Sequence, residues 1–487
     1  MKNKITEDVF ATDISRRVFV KGIGFVSVGL VLGLMGGCEE LAEEIRNRPT
    51  RRRLRTGSAA VDADIATYKH AVELMKALPA SDPRSWTAQA AVHGSVSGGF
   101  LYCQHGTDHF FDWHRAYLLY FERICQKLTG NAKFGLPYWN WNQNPDINPA
   151  FLDPASALFL ARNRTSMTGS WAVTTAALDP ILADTNFFTF RPQIEGTPHN
   201  TVHGYIGGTM GTGGSALDPV FWTHHCMVDY CWAKWNIELG NNNTNDPTWI
   251  NTPNSHFVDA DGNPATVTAG LTTIMPLISY QYESSAIGSS PAVAAIKTKA
   301  DYQKLEKRIK EGANIRFDIK QRIRIMEQTP VSIAKPVSIQ TRLTASNFAN
   351  IINTDLAKER VFLSVGFAQL PASSDFAVRV FINLPAANSN TPTSDPHFAG
   401  SFAFFGTPEQ SATVSSGEGH NQHPDFLVSI TNTLRNLKRN QALSDTGPLS
   451  VQLVAVPFAG KLERPDTTLL LEKIDVITTP VIVNSSQ

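Results

Sequence analysis

The chain has 487 residues, with 43 basic and 43 acidic side chains and a formal net charge of zero. It is 42% hydrophobic and 18% charged, the composition of a globular protein with a sizeable core and, by length, two or three domains. A zero balance excludes a global field that would hold nucleic acid; arginine is dense only in RNRPTRRRLR (46–55), which reads as a solvated linker or as a basic segment near anionic lipid.

In chain order, residues 1–38 read as a signal segment. SRRVFVK (15–21) pairs Arg16 with Arg17, and the apolar run 22–37 is too short for a comfortable membrane span but fits a signal core. The pair resembles a twin-arginine signal, which implies export of a folded protein to the periplasm or beyond. The run ends at Cys38 in LMGGC, which resembles a lipobox with Met35 in place of the usual Leu. Lipidation of Cys38 would tether the protein to a membrane through an Arg-rich linker, residues 39–59.

Residues 62–78 carry an amphipathic helix pattern stopped by Pro79. A short helix follows from Pro83 to His93, with Asp82 as its N-cap. FFDWHRAYLLYFERICQKL (110–128) predicts a third helix, capped by Thr107 or Asp108. Residues 142–198 are loop-rich. PHNTVHGYIGG (198–208) reads as a short helix with Pro at its start, and DPVFWTHHCMVDYCWAKW (218–235) as a further one. Residues 284–316 read as a linker with a charged helix. From 317 onward the pattern is strand-like, with candidates at 322–326, 361–367, 376–384, 398–406, 449–456 and 468–477. The expected architecture is α+β multidomain: a mainly helical four-helix-bundle domain over 60–283, then an all-β sandwich over 317–487.

Thirteen histidines occur, and eight of them fall in two groups: His93, His105, His109 and His114, then His199, His203, His224 and His225. His199 and His203 are four apart, so on a helix their side chains share a face with Cβ atoms about 5–6 Å apart, a spacing that suits one metal. HGTDH (105–109) has the same spacing, but Gly106 breaks a helix there, so His105 precedes the helix that holds His114. Within that helix His114 shares a buried apolar face with Phe110, Leu118, Phe121 and Cys125. His109 lies roughly 140° away, on the side of Asp112. A histidine-only set suits copper, zinc or iron, and two clusters on facing helices suggest two metals in one bundle. A dizinc hydrolase is the distant alternative, because carboxylate ligands are missing. His420 and His423 in GHNQHPD read as an exposed loop. Of five cysteines, Cys103, Cys125, Cys226 and Cys231 lie in the histidine-rich region and read mostly as buried thiols.

HGTDHFFDWHRAYLLYFE (105–122) and DPVFWTHHCMVD (218–229) resemble the two copper signatures of the tyrosinase family, and the likeness covers about residues 60–283. The resemblance implies two copper ions and O₂ as a co-substrate. One copper would be held by His93, His105 and His114. The other would be held by His199, His203 and His225, the second histidine of the HH pair. It places Asp229 and Arg115 at positions that orient the ligands, Cys103 where a thioether to the His105 ring forms, and Thr212 at the gate. Glu195 and Asn200 match an acid and an amide that together polarise a water against a phenol proton. FAVRVFINLP…DPHFAGSFAFFG resembles the last domain of plant-type polyphenol oxidases, which implies a domain shielding the site in a latent form and a protease-accessible hinge at 284–312. The expected activity is oxidation of o-diphenols to o-quinones, with hydroxylation of monophenols. The alternatives are a strict catechol or o-aminophenol oxidase and a hemocyanin-like oxygen carrier.

Overall fold

The computed structural model describes residues 47–283 and, with short interruptions, 319–481. The signal segment, Cys38, the charged linker and the His420–His423 loop lie outside the described residues.

The first domain is built on helices α1 (Ala59–Ala77), α2 (Trp86–His93), α3 (Phe110–Thr129), α4 (Phe187–Ile194), α5 (Asn200–Ile206) and α6 (Pro219–Ala233). Helix α3 is its axis. It is buried from Phe110 through Glu122, because apolar side chains there fall on every face and neighbours cover all of them. Trp222 of α6 lies flat on Phe121 at 3.5 Å between ring centroids, and Trp232 stacks on Phe111 at 5.1 Å. Two N-caps differ from the sequence reading. Helix α2 begins at Trp86, capped by the Ser85 hydroxyl rather than Asp82, and α3 is preceded by His109 with no side-chain cap.

The loop-rich reading of 142–198 misses α4. Helix α4 runs into a π-turn over Glu195–His199 and then directly into α5, so Pro198 lies inside the turn rather than at a helix start. A π-turn widens the helix by one residue and tolerates the N–H that proline lacks.

The Arg-rich segment is no solvated linker. Its residues Thr50–Arg51 form strand β1, paired in parallel with β2 (Gln281–Tyr282), so the ends of the helical domain close on one another. Arg51 is fully buried.

The second domain is a sandwich of two four-stranded sheets. Its strands are β3 (Gln321–Ser332), β4 (Val337–Gln340), β5 (Glu359–Phe367), β6 (Phe376–Ile382), β7 (Phe398–Ala403), β8 (Asp425–Ser429), β9 (Ser450–Pro457) and β10 (Thr468–Pro480). The sheet orders are β7-β6-β9-β4 and β8-β5-β10-β3, with every pairing antiparallel. Their inner faces bury Leu363, Val365, Val378, Val380, Phe402, Phe404, Val451 and Val476 among others.

Strand β7 is an edge strand, and its free edge lies against the π-turn and α5. Ser401 O accepts from Thr197 Oγ1 at 2.9 Å, and Ala403 O accepts from Asn200 Nδ2 at 2.9 Å. Two glycines permit this approach. A Cβ on Gly196 would meet the Phe426 ring at 3.2 Å, and one on Gly204 would sit 2.4 Å from the Ser374 carbonyl oxygen.

Candidate metal centre

Two groups of histidines come together between α2, α3, α5 and α6. His93, His105 and His114 have ring nitrogens within 4.8 Å of one another, and so do His199, His203, His224 and His225. The groups face each other. The His114 and His225 rings stack at 4.5 Å, and His105 lies 5.5 Å from His199.

Each ring comes from a defined local device. His93 is the last residue of α2, and the backbone turns away at Gly94. His105 precedes α3 in the loop before it, where Gly106 takes φ of 69°. His199 and His203 project from one face across the π-turn and α5, with ring centroids 4.6 Å apart.

Hydrogen bonds set the tautomers. The Nδ1–H of His93 donates to Gly213 O at 2.8 Å, that of His114 to Phe110 O at 2.7 Å, and that of His203 to Met210 O at 2.7 Å. His199 Nδ1–H donates to Asn200 Oδ1 at 2.8 Å. A neutral imidazole has one N–H, so donation from Nδ1 leaves the lone pair on Nε2. Burial, reinforced by neighbouring imidazoles, holds His114, His203 and His225 well below the usual histidine value, and burial takes His199 down to about 3. Burial thus favours the neutral form of these four rings. Among the described residues, His114 and His199 have no partner at Nε2. Buried lone pairs without partners are costly unless something accepts them, and a late first-row metal ion does. The donor set, nitrogen only and without carboxylates, fits copper.

His109 stands outside both groups. Its ring pairs with Asp112 Oδ2 at 3.1 Å and stacks on Trp249.

Arg115 and Asp229 sit one residue after His114 and four after His225, and they act on helices rather than on rings. Arg115 pairs with Asp229 Oδ1, and its guanidinium lies 3.6 Å over the Trp232 ring. Asp229 Oδ2 accepts from Arg51 at 3.1 Å, from the Tyr280 hydroxyl at 2.6 Å and from the Tyr282 hydroxyl. Arg51 also reaches Glu122 Oε2 at 2.9 Å. Burial alone would raise the Asp229 carboxyl, but Arg115 and Arg51 beside it and the two tyrosine hydroxyls hold it below its ordinary value. The network ties α3 to α6 and both to the paired chain ends.

Glu195 is buried. Its Oε1 accepts from Gly106 N–H at 2.6 Å and its Oε2 from Arg191 at 2.7 Å, so it clasps the loop that carries His105. Burial raises its carboxyl, against the pull of Arg191 and the Gly106 N–H. Asn200 spends Oδ1 on His199 and its amide hydrogen on Ala403 O of the sandwich. Thr212 is half-buried, and its hydroxyl is used within its own turn by Thr209 O and Gly214 N–H. The same loop supplies the Gly213 carbonyl to His93. Cys103 is buried, with Sγ 3.1 Å from His93 O. It is unpaired, as are Cys125, Cys226 and Cys231.

The second domain places one ring against the centre. Phe405, two residues past β7, stacks on His203 at 3.9 Å and 15° and lies 5.2 Å from His105 and 5.6 Å from His199. Strand alternation explains the placement. Phe402 and Phe404 point into the sandwich core, so Phe405 points out, toward the helical domain. Phe100 stacks on His105 at 4.3 Å beside it.

Residues 83–158 and 148–238 match the family model for the common central domain of tyrosinase, and residues 319–463 match a domain of unknown function. Tyrosinase HcTyr1 of a Hahella species is 30% identical over 45% of this chain and 61% of its own length. The chloroplastic polyphenol oxidase of Malus domestica is 34% identical over 42% of this chain and 44% of its own. The matched part of the chain thus spans about half the length of these relatives. In fold, latent aurone synthase, a polyphenol oxidase, superposes over 90% of this chain and 91% of its own, with TM-score 0.61 and 20% identity. A functional unit of octopus hemocyanin covers 89% of this chain and all of its own, at TM-score 0.53 and 17% identity.

Proposed function

Because the chain carries the common central domain of tyrosinase, we propose that it is a binuclear copper oxidase of phenols that uses O₂. The observation that carries this reading is the pair of facing histidine groups, in which the Nδ1 hydrogen bonds of His93, His114, His199 and His203 leave the Nε2 lone pairs of those buried rings free for a metal. His93, His105 and His114 would hold one copper, and His199, His203 and His225 the other. When bound, copper supplies the electron transfer between phenol and O₂: two catechols give two o-quinones while one O₂ becomes two waters.

The protein's own contribution is position and protons. Fixed tautomers hold the rings without reorganisation. The Arg115–Asp229–Arg51 network fixes the spacing of α3 and α6, and hence of His114 from His225. Glu195 anchors the His105 loop and is the acid expected to hold a water for the proton of an incoming phenol. Asn200, hydrogen-bonded to His199, would orient that water once its amide is free. A thioether from Cys103 to the His105 ring, formed with O₂ as the oxidant, would pin a ring whose two nitrogens have no partner among the described residues; it removes two hydrogens, which the intact mass of the metal-free chain reads. Phe405 over His203 supports a latent form in which the sandwich shields the centre. Export through the twin-arginine-like segment and tethering at Cys38 complete the reading. Among the described residues, no helix is long and apolar enough to cross a membrane.

Monophenol hydroxylation separates this enzyme from a strict catechol oxidase. After limited proteolysis within 284–316, the copper-loaded protein is expected to turn over tyrosine as well as its catechol analogue. Glu195→Gln should cost tyrosine turnover about 10²-fold, within the range of a lost general base, and catechol turnover far less. Equal losses on the two substrates would contradict that role. Reversible O₂ binding without turnover of either phenol would favour the oxygen-carrier reading instead.

A further inference from the structure

His224 is arranged opposite to its neighbours. Its Nδ1 lies 3.2 Å from the indole nitrogen of Trp141. An indole N–H only donates, so Nδ1 of His224 is the acceptor and the ring proton of the neutral imidazole sits on Nε2. In His93, His114, His199 and His203 it is Nδ1 that donates, which leaves Nε2 with a lone pair. His224 Nε2 therefore presents a hydrogen where four of its neighbours present electrons.

His224 is fully buried, and its Nε2 has no partner among the described residues. Its ring stacks 5.4 Å from His199 at 22° and stands edge-on to His203 at 4.9 Å and to His225 at 5.1 Å. A metal accepts no N–H, so this orphan donor is not relieved by the ion that would relieve the others. A buried N–H is satisfied by an acceptor atom, and the group of rings around it is where a small ligand of the centre would bind.

We propose that His224 is not a metal ligand but a fixed N–H donor, locked in its tautomer by Trp141, which hydrogen-bonds a lone-pair atom of a small molecule held beside the His199–His203–His225 group. The proposal rests on the copper reading of that group. It makes His224 a specificity and positioning residue for whatever oxygen approaches there, either a solvent oxygen of the resting centre or the phenolate oxygen of the substrate.

The test uses the full copper-loaded chain and its His224→Leu, His224→Gln and Trp141→Phe variants. Copper per chain is measured, together with the affinities for azide, which takes the solvent position, and for 4-nitrophenol, a poorly oxidised phenol. All four proteins should hold two coppers. His224→Leu should weaken at least one probe by about tenfold or more, the cost of an unmade buried hydrogen bond. His224→Gln, whose amide donates, should recover most of that, and Trp141→Phe should show a smaller loss by freeing the ring. The probe that weakens names the acceptor: azide the solvent position, 4-nitrophenol the substrate oxygen. Loss of one copper in His224→Leu would make His224 a ligand and overturn the proposal. So would wild-type affinities for both probes, or a glutamine variant no better than the leucine one. Should the leucine variant not fold, unchanged affinities in Trp141→Phe overturn the proposal alone. Wild-type protein that binds no copper defeats the underlying metal reading, a separate and recognisable outcome.

Discussion

Phe405→Ala in the full-length chain should raise catechol oxidation about tenfold or more and leave tyrosine hydroxylation near its starting level. The first half follows from the ring stacked at 3.9 Å on His203, where on the proposed reading a catechol would approach. Removing it opens a hole the size of a phenyl group, and a barrier lowered by about 1.4 kcal/mol already gives a tenfold rate. The second half follows from what the substitution leaves in place. Strand β7 stays docked through Thr197 and Asn200, so the Asn200 amide remains committed to Ala403 O and cannot turn toward a water. Proteolysis that releases the sandwich should free both the mouth and the amide and so raise both activities. Initial rates on tyrosine and its catechol analogue, for the variant and for nicked wild type, decide the matter. If the variant gains both activities in the ratio shown by nicked protein, Phe405 alone imposes latency and the Asn200 contact is incidental.

Arg51→Ala should be among the most destabilising single changes in the helical domain. Arg51 is fully buried between Glu122 and Asp229, with its guanidinium 3.6 Å over the Tyr280 ring. Its loss strands two buried carboxylates with fewer partners, which typically costs about 3–5 kcal/mol. For a domain of this size that is a fall in Tm on the order of 10 °C. The effect also has a pH signature. Asp229 is held below its unfolded value, so its contribution is complete above the ordinary carboxylate range and is lost as pH falls through the depressed folded value. Without Arg51 the folded value rises toward the unfolded one. Asp229 should then add less to acid destabilisation, so the Tm gap between wild type and variant should narrow as pH falls. Melting curves of the two proteins at a series of pH values measure this. Equal Tm at neutral pH would return the segment to the status of a solvated linker.

The contrast between these residues shows what was readable beforehand. The eight histidines stood out because metal binding restricts residue type and the ligands lie close in sequence to helix signals. Helical periodicity alone set His109 apart from His114, and the structure gives His109 to Asp112 and Trp249. Six strands of the sandwich were legible from their apolar runs and the turn residues between them, while β4 and β8 were not read. Arg51 was not, since a run of arginines looks the same whether it meets water or acids that lie 71 and 178 residues away. Helix α4 was hidden by Pro192 within it and by Pro198 just beyond it, of which the π-turn absorbs the second. The hydrogen bond from Asn200 and the stack of Phe405 arise only when two separately folded domains meet. One hint existed for Phe405: FAFFG (402–406) places large apolar residues on both faces of an edge strand, and the outward one must be covered by something. Tautomers were wholly illegible, because they depend on carbonyls supplied by distant turns such as Gly213.

Copper per chain across a short series of histidine variants tests the central claim most directly. Wild-type protein loaded with copper and freed of loosely bound metal should hold two ions. His114→Ala and His203→Ala should each hold about one, because each removes a ligand from a different group, while His109→Ala should still hold two. A wild-type chain that retains fewer than two coppers, or a His109 variant that loses one while the His203 variant keeps both, would contradict the account.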